Sequence, residues 1–494
     1  MNRILPAAFA ILLITSCTRQ RETEFFTGRV DFPVQPNLGV KEAMAARLIP
    51  HQRQLEWQSL EMTAFIHFTI NTFTDREWGT GKESPELFNP SSLDADQWVR
   101  VLSEAGMKMV IITAKHHDGF CLWPTKTTPH SVASSPWKDG KGDVIRELKD
   151  ACEKYNMKFG VYLSPWDRNA SCYGDSPAYN RFYMEQLTEL LTWYGKVDEV
   201  WFDGANGEGP DGRGQEYDWQ AYYDLIRKLQ PDAVTAIMGQ DVRWVGTESG
   251  YGRETEWSAT VLAPGATPES VAINEALEVN AMSEDLGSSS LLHRADHLFW
   301  YPAEVDVSIR PGWFWHASED SLVKDVAKLA DIYLSSVGRN AVLLLNVPPD
   351  NRGLITDQDI SSLRGMKAWI DKMYATDLLN GSRPYGRGTS NLTDGDNSTS
   401  WNPRRNPVAS FVPAIAATFN VAMLQEDISK GQRVEKFIIE ALSGAEWDTI
   451  ATGTTIGYKR LIRFPEVKAD EIKLTIVSSR AAPYISTFAL YYTE

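Results

Sequence analysis

Three of the eight histidines in this 494-residue chain stand where hydrophobic runs end. His67 closes the run Thr63-Ala64-Phe65-Ile66, while His116 and His117 follow Met109-Val110-Ile111-Ile112-Thr113 and lead into Asp118-Gly119-Phe120. A third run, Val200-Trp201-Phe202, stops at Asp203-Gly204. Short stretches of β-branched and aromatic residues predict buried strands, so these acids and imidazoles stand at the mouth of the core that the strands fill. Other polar and aromatic groups follow further predicted strands: Glu77-Trp78, Tyr162 with Trp166-Asp167, Arg243-Trp244 through Glu248, Glu254 with Glu256-Trp257, and Trp313-Phe314-Trp315-His316. Carboxylates, imidazoles and indoles together are the equipment for holding a sugar ring and breaking its glycosidic bond. Singly each has a plainer role, since an Asp-Gly pair mostly begins a turn. Collectively they point to one rim. His116, His117 and Asp118 invite a metal, but neighbouring side chains on extended backbone point opposite ways. Hydrogen bonding to hydroxyls is the expected role, and no metal or cofactor is expected in the site.

Strand-like runs alternate with helical patterns from about residue 60 to 346, the mark of an α/β architecture. The predicted strands are 63–68, 109–113, 159–164, 200–203, 233–238, a weak sixth at 254–258, 304–309 and 340–346. Helical spacing covers 93–105, 143–155, 182–193, 217–229 and 320–335. Eight strands predict a (β/α)8, TIM-like barrel over 46–355, irregular around the fifth and sixth. A doubly wound open sheet is the competitor, weakened because no G-x-G-x-x-G follows a strand. Residues 356–380 predict a connecting helix, 356–374, and a linker. From 381 to 494 alternating β runs predict an antiparallel β-sandwich. Asn391 to Asp396 with Trp401 resemble the start of galactose-binding-like modules, for which bracing of the barrel is the expected role. The acidic loop also makes a structural calcium there an option.

The chain is 43% hydrophobic, as a globular core requires, and its 65 acidic against 49 basic residues give −16, which argues against a nucleic-acid partner. Residues 1–17 read as an export signal: Arg3, an apolar run from Ile4 to Ile14, then Thr15-Ser16-Cys17. Apolar-small-small-Cys resembles a bacterial lipobox, which makes Cys17 the expected lipidation site and 18–45 a tether with the N-terminal segment. The protein is then exported and held on a bacterial envelope membrane by its lipid alone, since the run is too short to span a bilayer. Cys121, Cys152 and Cys172 show no metal-like spacing.

Four stretches carry a resemblance: Ala64-Phe65-Ile66-His67-Phe68, Lys115-His116-His117-Asp118-Gly119-Phe120, Trp201-Phe202-Asp203-Gly204-Ala205 and Arg310-Pro311-Gly312-Trp313. In this order they resemble the α-L-fucosidases of glycoside hydrolase family 29, over about residues 50–350. The resemblance implies a retaining exo-α-L-fucosidase acting on fucosylated oligosaccharides or glycoconjugates, with Asp203 as nucleophile and His67, His116, His117 and Trp201 holding fucose. Gly246-Thr247-Glu248 with Glu256-Trp257-Ser258 looks like the subfamily favouring α-1,3/1,4-linked branched fucosides and makes Glu248 the acid/base, Glu256 or Glu254 remaining alternatives. Glu77, Trp78, Tyr162, Glu256, Trp313 and Trp315 complete the expected substrate contacts, with Trp78, Trp313 or Trp315 as the wall against the fucose methyl. A retaining pair predicts carboxyl groups about 5–5.5 Å apart. A related retaining glycosidase, such as an α-galactosidase, and a non-catalytic glycan-binding lipoprotein remain alternatives.

Overall fold

The structure is a computed structural model that describes residues 25–209, 211–414 and 417–493. The predicted export signal and Cys17 lie outside the described residues. Eight parallel strands form the N-terminal body: β1 Met62–Ile66, β2 Met109–Lys115, β3 Lys158–Leu163, β4 Glu199–Phe202, β5 Val234–Ile237, β6 Arg243–Trp244, β7 Ala303–Ser308 and β8 Val342–Asn346. Their order is β5-β4-β3-β2-β1-β8-β7-β6. A single parallel bridge, Ala236 to Val242, joins the two ends and all but closes the barrel. Every residue of β1, β2, β4, β7 and β8 is buried, as expected when helices cover one face and the barrel interior the other.

The covering helices are α1 Ala95–Glu104, α2 Val144–Lys154, α3 Ser176–Trp193 and α4 Trp219–Leu229, then α5 Pro268–Leu277 in a long insertion, and α6 Val326–Ser336 and α7 Asp357–Tyr374. Asp94, Asp143, Asp175 and Asp218 cap the first four, each accepting a backbone N–H one turn on. α3 begins six residues before the sequence pattern did, because Asp175 caps it and Pro177 occupies its first turn.

The sixth strand corrects the sequence reading. Residues 254–258 are irregular, and the barrel position belongs to β6, two residues paired with Ala303 and Glu304 of β7. One of those two residues is a fully buried arginine, so no hydrophobic run announces the strand. Only five residues separate β5 from β6. The covering structure comes instead from the insertion between β6 and β7, which carries α5.

Beyond α7 lie a five-stranded and a three-stranded antiparallel sheet. The first runs β9 Arg383–Tyr385, β10 Val408–Val412, β15 Glu471–Ser479, β12 Val434–Ser443, β13 Glu446–Gly453; the second β14 Arg460–Lys468, β11 Thr418–Glu426, β16 Ile485–Tyr491. Val421, Met423, Leu461, Ala489 and Tyr491 from the second sheet belong to the same apolar cluster as the barrel helices. The two bodies therefore share a core. In the acidic loop, Asp394 and Asp396 accept hydrogen bonds from Asp396, Ser398 and Thr399 of the same loop, and among the described residues no three potential metal ligands converge.

Candidate active site

At the C-terminal ends of the barrel strands a cavity of about 120 Å³ is lined by Phe65 of β1 and His67 just after it, Glu77 and Trp78, His116 and His117, Trp201, Asp203, Ala205, Glu248, Asp306 and Trp313. Asp203 follows β4 directly. Its Oδ2 accepts the Tyr162 hydroxyl at 2.9 Å and its Oδ1 the Ala205 backbone N–H at 2.6 Å. Two donors fix the carboxylate's orientation. Glu248 is exposed at the cavity mouth, and its Oε2 accepts the Trp313 indole N–H at 3.2 Å.

The histidines are fixed in tautomer as well as place. Asn346 donates its amide N–H to the Trp313 carbonyl at 2.8 Å, so its Oδ1 faces His67 Nδ1 at 2.9 Å. An amide oxygen only accepts, so Nδ1 carries the proton and Nε2 is left as an acceptor. Burial pushes the His67 pKa down to about 3, and burial also holds His116 well below the ordinary range. Ser164 donates to the Trp166 carbonyl and so accepts from His117 Nδ1, at 2.7 Å in both contacts. His117 Nε2 then faces Asp203 Oδ2 across 3.9 Å, a gap that a sugar hydroxyl can bridge. Burial lowers the His117 pKa while the Asp203 charge opposes it. These are neutral imidazoles suited to hydroxyls.

Contrary to the expectation of opposed side chains, the His116 and His117 rings lie 4.0 Å apart. The backbone leaves the extended form after Lys115 and turns at His117 and Asp118.

Glu77 is held from the opposite side by the backbone N–H groups of Trp313 at 2.9 Å and Phe314 at 3.2 Å, and by His316 Nε2 at 2.8 Å. A Cβ on Gly312 would come within 2.6 Å of Glu77 Oε1, so the loop needs glycine there. Arg310 anchors the same loop by pairing with Asp359 and Asp320, both at 2.9 Å.

Beneath the cavity the Trp201 indole donates to Glu304 at 2.8 Å, and the Trp57 indole donates to Glu199 at 2.8 Å. Both glutamates are buried, and Glu199 Oε1 and Glu304 Oε2 have no hydrogen-bond partner among the described residues. Burial pushes the Glu199 pKa up to about 8; burial, then the charge of Glu199, pushes Glu304 well above its ordinary value. At neutral pH at least one of the pair keeps its proton.

A second cleft of about 800 Å³ opens beside the first, walled by Leu262, Val271 and Val279 of the insertion and by Ile237 and Met238. Trp201, Asp203, Ala205, Glu248 and Asp306 line both spaces and so mark the neck between them. A small pocket, carboxyl groups at its neck and a roomier cleft beyond suit the cleavage of a bond between one sugar and a larger leaving group.

The family model for alpha-L-fucosidase matches residues 43–374. The chain belongs to the alpha-L-fucosidase family. It is 42% identical over 463 residues to Alpha-L-fucosidase 1 of Arabidopsis thaliana, covering 90% of this chain and 87% of that one. A crystal structure of a Bacteroides ovatus protein superposes with a TM-score of 0.90 at 56% identity, over 96% of this chain and 79% of the other. A glycoside hydrolase 29 family member from a rumen bacterium gives a TM-score of 0.78 at 40% identity, over 90% and 77% of the two chains. The protein is thus a glycoside hydrolase of the α-L-fucosidase type.

Most of the fucosidase residues singled out in the sequence do converge. His67, Glu77, Trp78, His116, His117, Trp201, Asp203, Glu248 and Trp313 share one cavity. Tyr162 is buried behind it and acts through Asp203. Trp315 does not line the cavity; its indole donates to Asp320 at 3.2 Å, leaving Trp78 and Trp313 as the exposed indoles of the wall. Glu256 also lies outside both spaces. It is buried and ion-paired with Arg243, with Arg253 at 3.7 Å, because two guanidinium groups draw the carboxylate away from the rim. Glu254 pairs with Arg339 and with Arg460 of β14, turned towards the C-terminal sheets. Phe65, Ala205 and Asp306 line the cavity although the sequence did not mark them.

Proposed function

We propose that this fucosidase removes terminal α-1,3/1,4-linked fucose from branched glycans by double displacement with net retention. Asp203 attacks the anomeric carbon while Glu248 donates a proton to the departing oxygen, then deprotonates the water that releases fucose. The observation that carries this reading is the placement of the two carboxyl groups at one neck, Asp203 immobilised by two donors and Glu248 exposed at the mouth with the Trp313 indole on one oxygen. His67, His116 and His117 meet the ring hydroxyls as neutral groups, and Trp78 and Trp313 offer an apolar surface to the deoxy C6. The larger cleft supports a leaving group of more than one sugar.

The test is proton NMR of the first-formed product, with rates compared on Lewis-type trisaccharides, 2′-fucosyllactose and an aryl α-L-fucoside. Initial release of α-fucose, and of the branched α-1,3/1,4 substrates in preference to 2′-fucosyllactose, is expected. First-formed β-fucose would exclude retention. We further propose acylation at Cys17 and residence on a bacterial envelope membrane, supported by the lipobox-like Ile14-Thr15-Ser16-Cys17. Cys17→Ala is expected to move the enzyme from the membrane fraction to the soluble one.

A further inference from the structure

Three carboxyl groups, not two, stand at the neck between the pocket and the outer cleft. Asp306 points into the barrel from β7 two residues above Glu304, as strand alternation dictates, and it is 3% exposed. Its Oδ1 accepts the Trp244 indole N–H at 2.8 Å. Trp244 forms part of the outer cleft's wall only, whereas Asp306 lines both spaces. One oxygen is therefore pinned towards the leaving-group side, and Trp244 is the side-chain donor that the carboxyl meets among the described residues.

We propose that Asp306 is a specificity-determining residue that anchors the leaving group, by hydrogen bonding a hydroxyl or amide N–H of the sugar next to the scissile bond. This rests on the fucosidase reading of the site. The other neck carboxylates are already engaged: Asp203 by Tyr162 and Ala205, Glu248 by Trp313. The outer cleft is walled by apolar side chains together with Asn274, Glu275, Glu278 and Asn280 of the insertion, and Asp306 is one of the three carboxyl groups of its wall that also reach the pocket, where the sugar next to the scissile bond is oriented. Burial, with the charge of Glu248 next, pushes the Asp306 pKa up to about 7 against the opposing Trp244 hydrogen bond. Near neutrality the group can both donate and accept, as a vicinal hydroxyl requires. The plainer role, in which Asp306 merely holds the Trp244 ring, makes a different prediction.

The experiment compares kcat/KM of Asp306→Ala and Asp306→Asn with the unaltered enzyme on two substrates. One is a fucosylated N-acetyl disaccharide; the other is an aryl α-L-fucoside, whose leaving group has no hydroxyl to anchor. Asp306→Ala is expected to lose at least tenfold more on the disaccharide than on the aryl fucoside, mostly in KM. Asp306→Asn retains an acceptor for Trp244 and an amide for the sugar, and is expected to recover part of that difference. Thermal melting of both variants checks that the barrel stays folded. Equal losses on both substrates, or none on either, overturn the inference while leaving the fucosidase reading standing. An unaltered enzyme inactive on both would remove the fucosidase reading, and this inference with it.

Discussion

Glu248 and Asp203 differ in what surrounds them, and that difference separates their tasks. A carboxylate held by two donors is aimed in one direction, as a nucleophile must be; one exposed at the mouth can reach both the departing oxygen and an entering water. Asp203→Ala is expected to lower kcat on every substrate by about 10³-fold or more. Glu248→Ala should cost about 10²–10⁴-fold on natural glycans, which need a proton on the leaving oxygen. An aryl fucoside with an acidic phenol needs none, so its first step should be spared. Steady-state and burst kinetics on the two substrate types check this, and equal losses for both variants on both types would erase the distinction. The sequence made Asp203 visible because it ends a hydrophobic run. It concealed Asp306, because Glu304-Val305-Asp306-Val307-Ser308 alternates like a strand with one wet face. Inside a barrel that face is the interior.

Strands β4 and β7 carry the charged layer under the site, and they set how the fold answers to pH. Acids whose folded pKa is raised bind protons that the unfolded chain releases, so their stabilisation is lost as pH rises from their ordinary range through the folded value. Glu199, raised from 4.5 to about 8, and Glu304, raised well above 4.5, act in this direction. The buried histidines act oppositely: His67, lowered from 6.5 to about 3, withdraws stability as pH falls below 6.5. Above 6.5 the buried acids lose stabilisation, and so does His316, whose pKa, despite burial, is raised by Asp75 and Glu77, so the melting temperature should decline from there through pH 8 and beyond. Glu304→Gln keeps an acceptor for Trp201 and offers Glu199 a donor. It is expected to flatten that decline and to alter the curve only above the ordinary glutamate value of 4.5, in calorimetric scans across pH. Elements whose burial is one-sided or continuous were legible: β1 to β4, β7, β8, α7 with its Thr356 cap, and the alternating strands of the sandwich. β13 was not, because its residues are mostly exposed and show no alternation. β6 was not, because two residues make no pattern.

For the molecule as a whole, the C-terminal sheets are bound to the barrel by more than a linker. Lys459 pairs with Glu61 at 2.6 Å, Arg460 with Glu254 at 2.7 Å, and Gln432 donates to the Glu256 carbonyl at 3.0 Å. Thr455 accepts the Glu256 backbone N–H at 3.0 Å, and Glu256 in turn grips Arg243 of β6, five residues before Glu248 at the mouth. Removing residues 380–494 would expose the shared apolar cluster, so the truncated chain is expected to be insoluble or to melt far below the full one, measured by scanning fluorimetry. A truncated barrel with undiminished stability and activity would make the second body dispensable. The single bridge between β5 and β6 has its own consequence. A cylinder closed at one seam by so short a pairing should open there first under thermal agitation, and this seam borders the outer cleft, to which Ile237, Arg243 and Trp244 contribute. Amide protons of residues 234–244 should therefore exchange with deuterium sooner than those of β1 to β3, so that product escape and local breathing draw on the same soft edge.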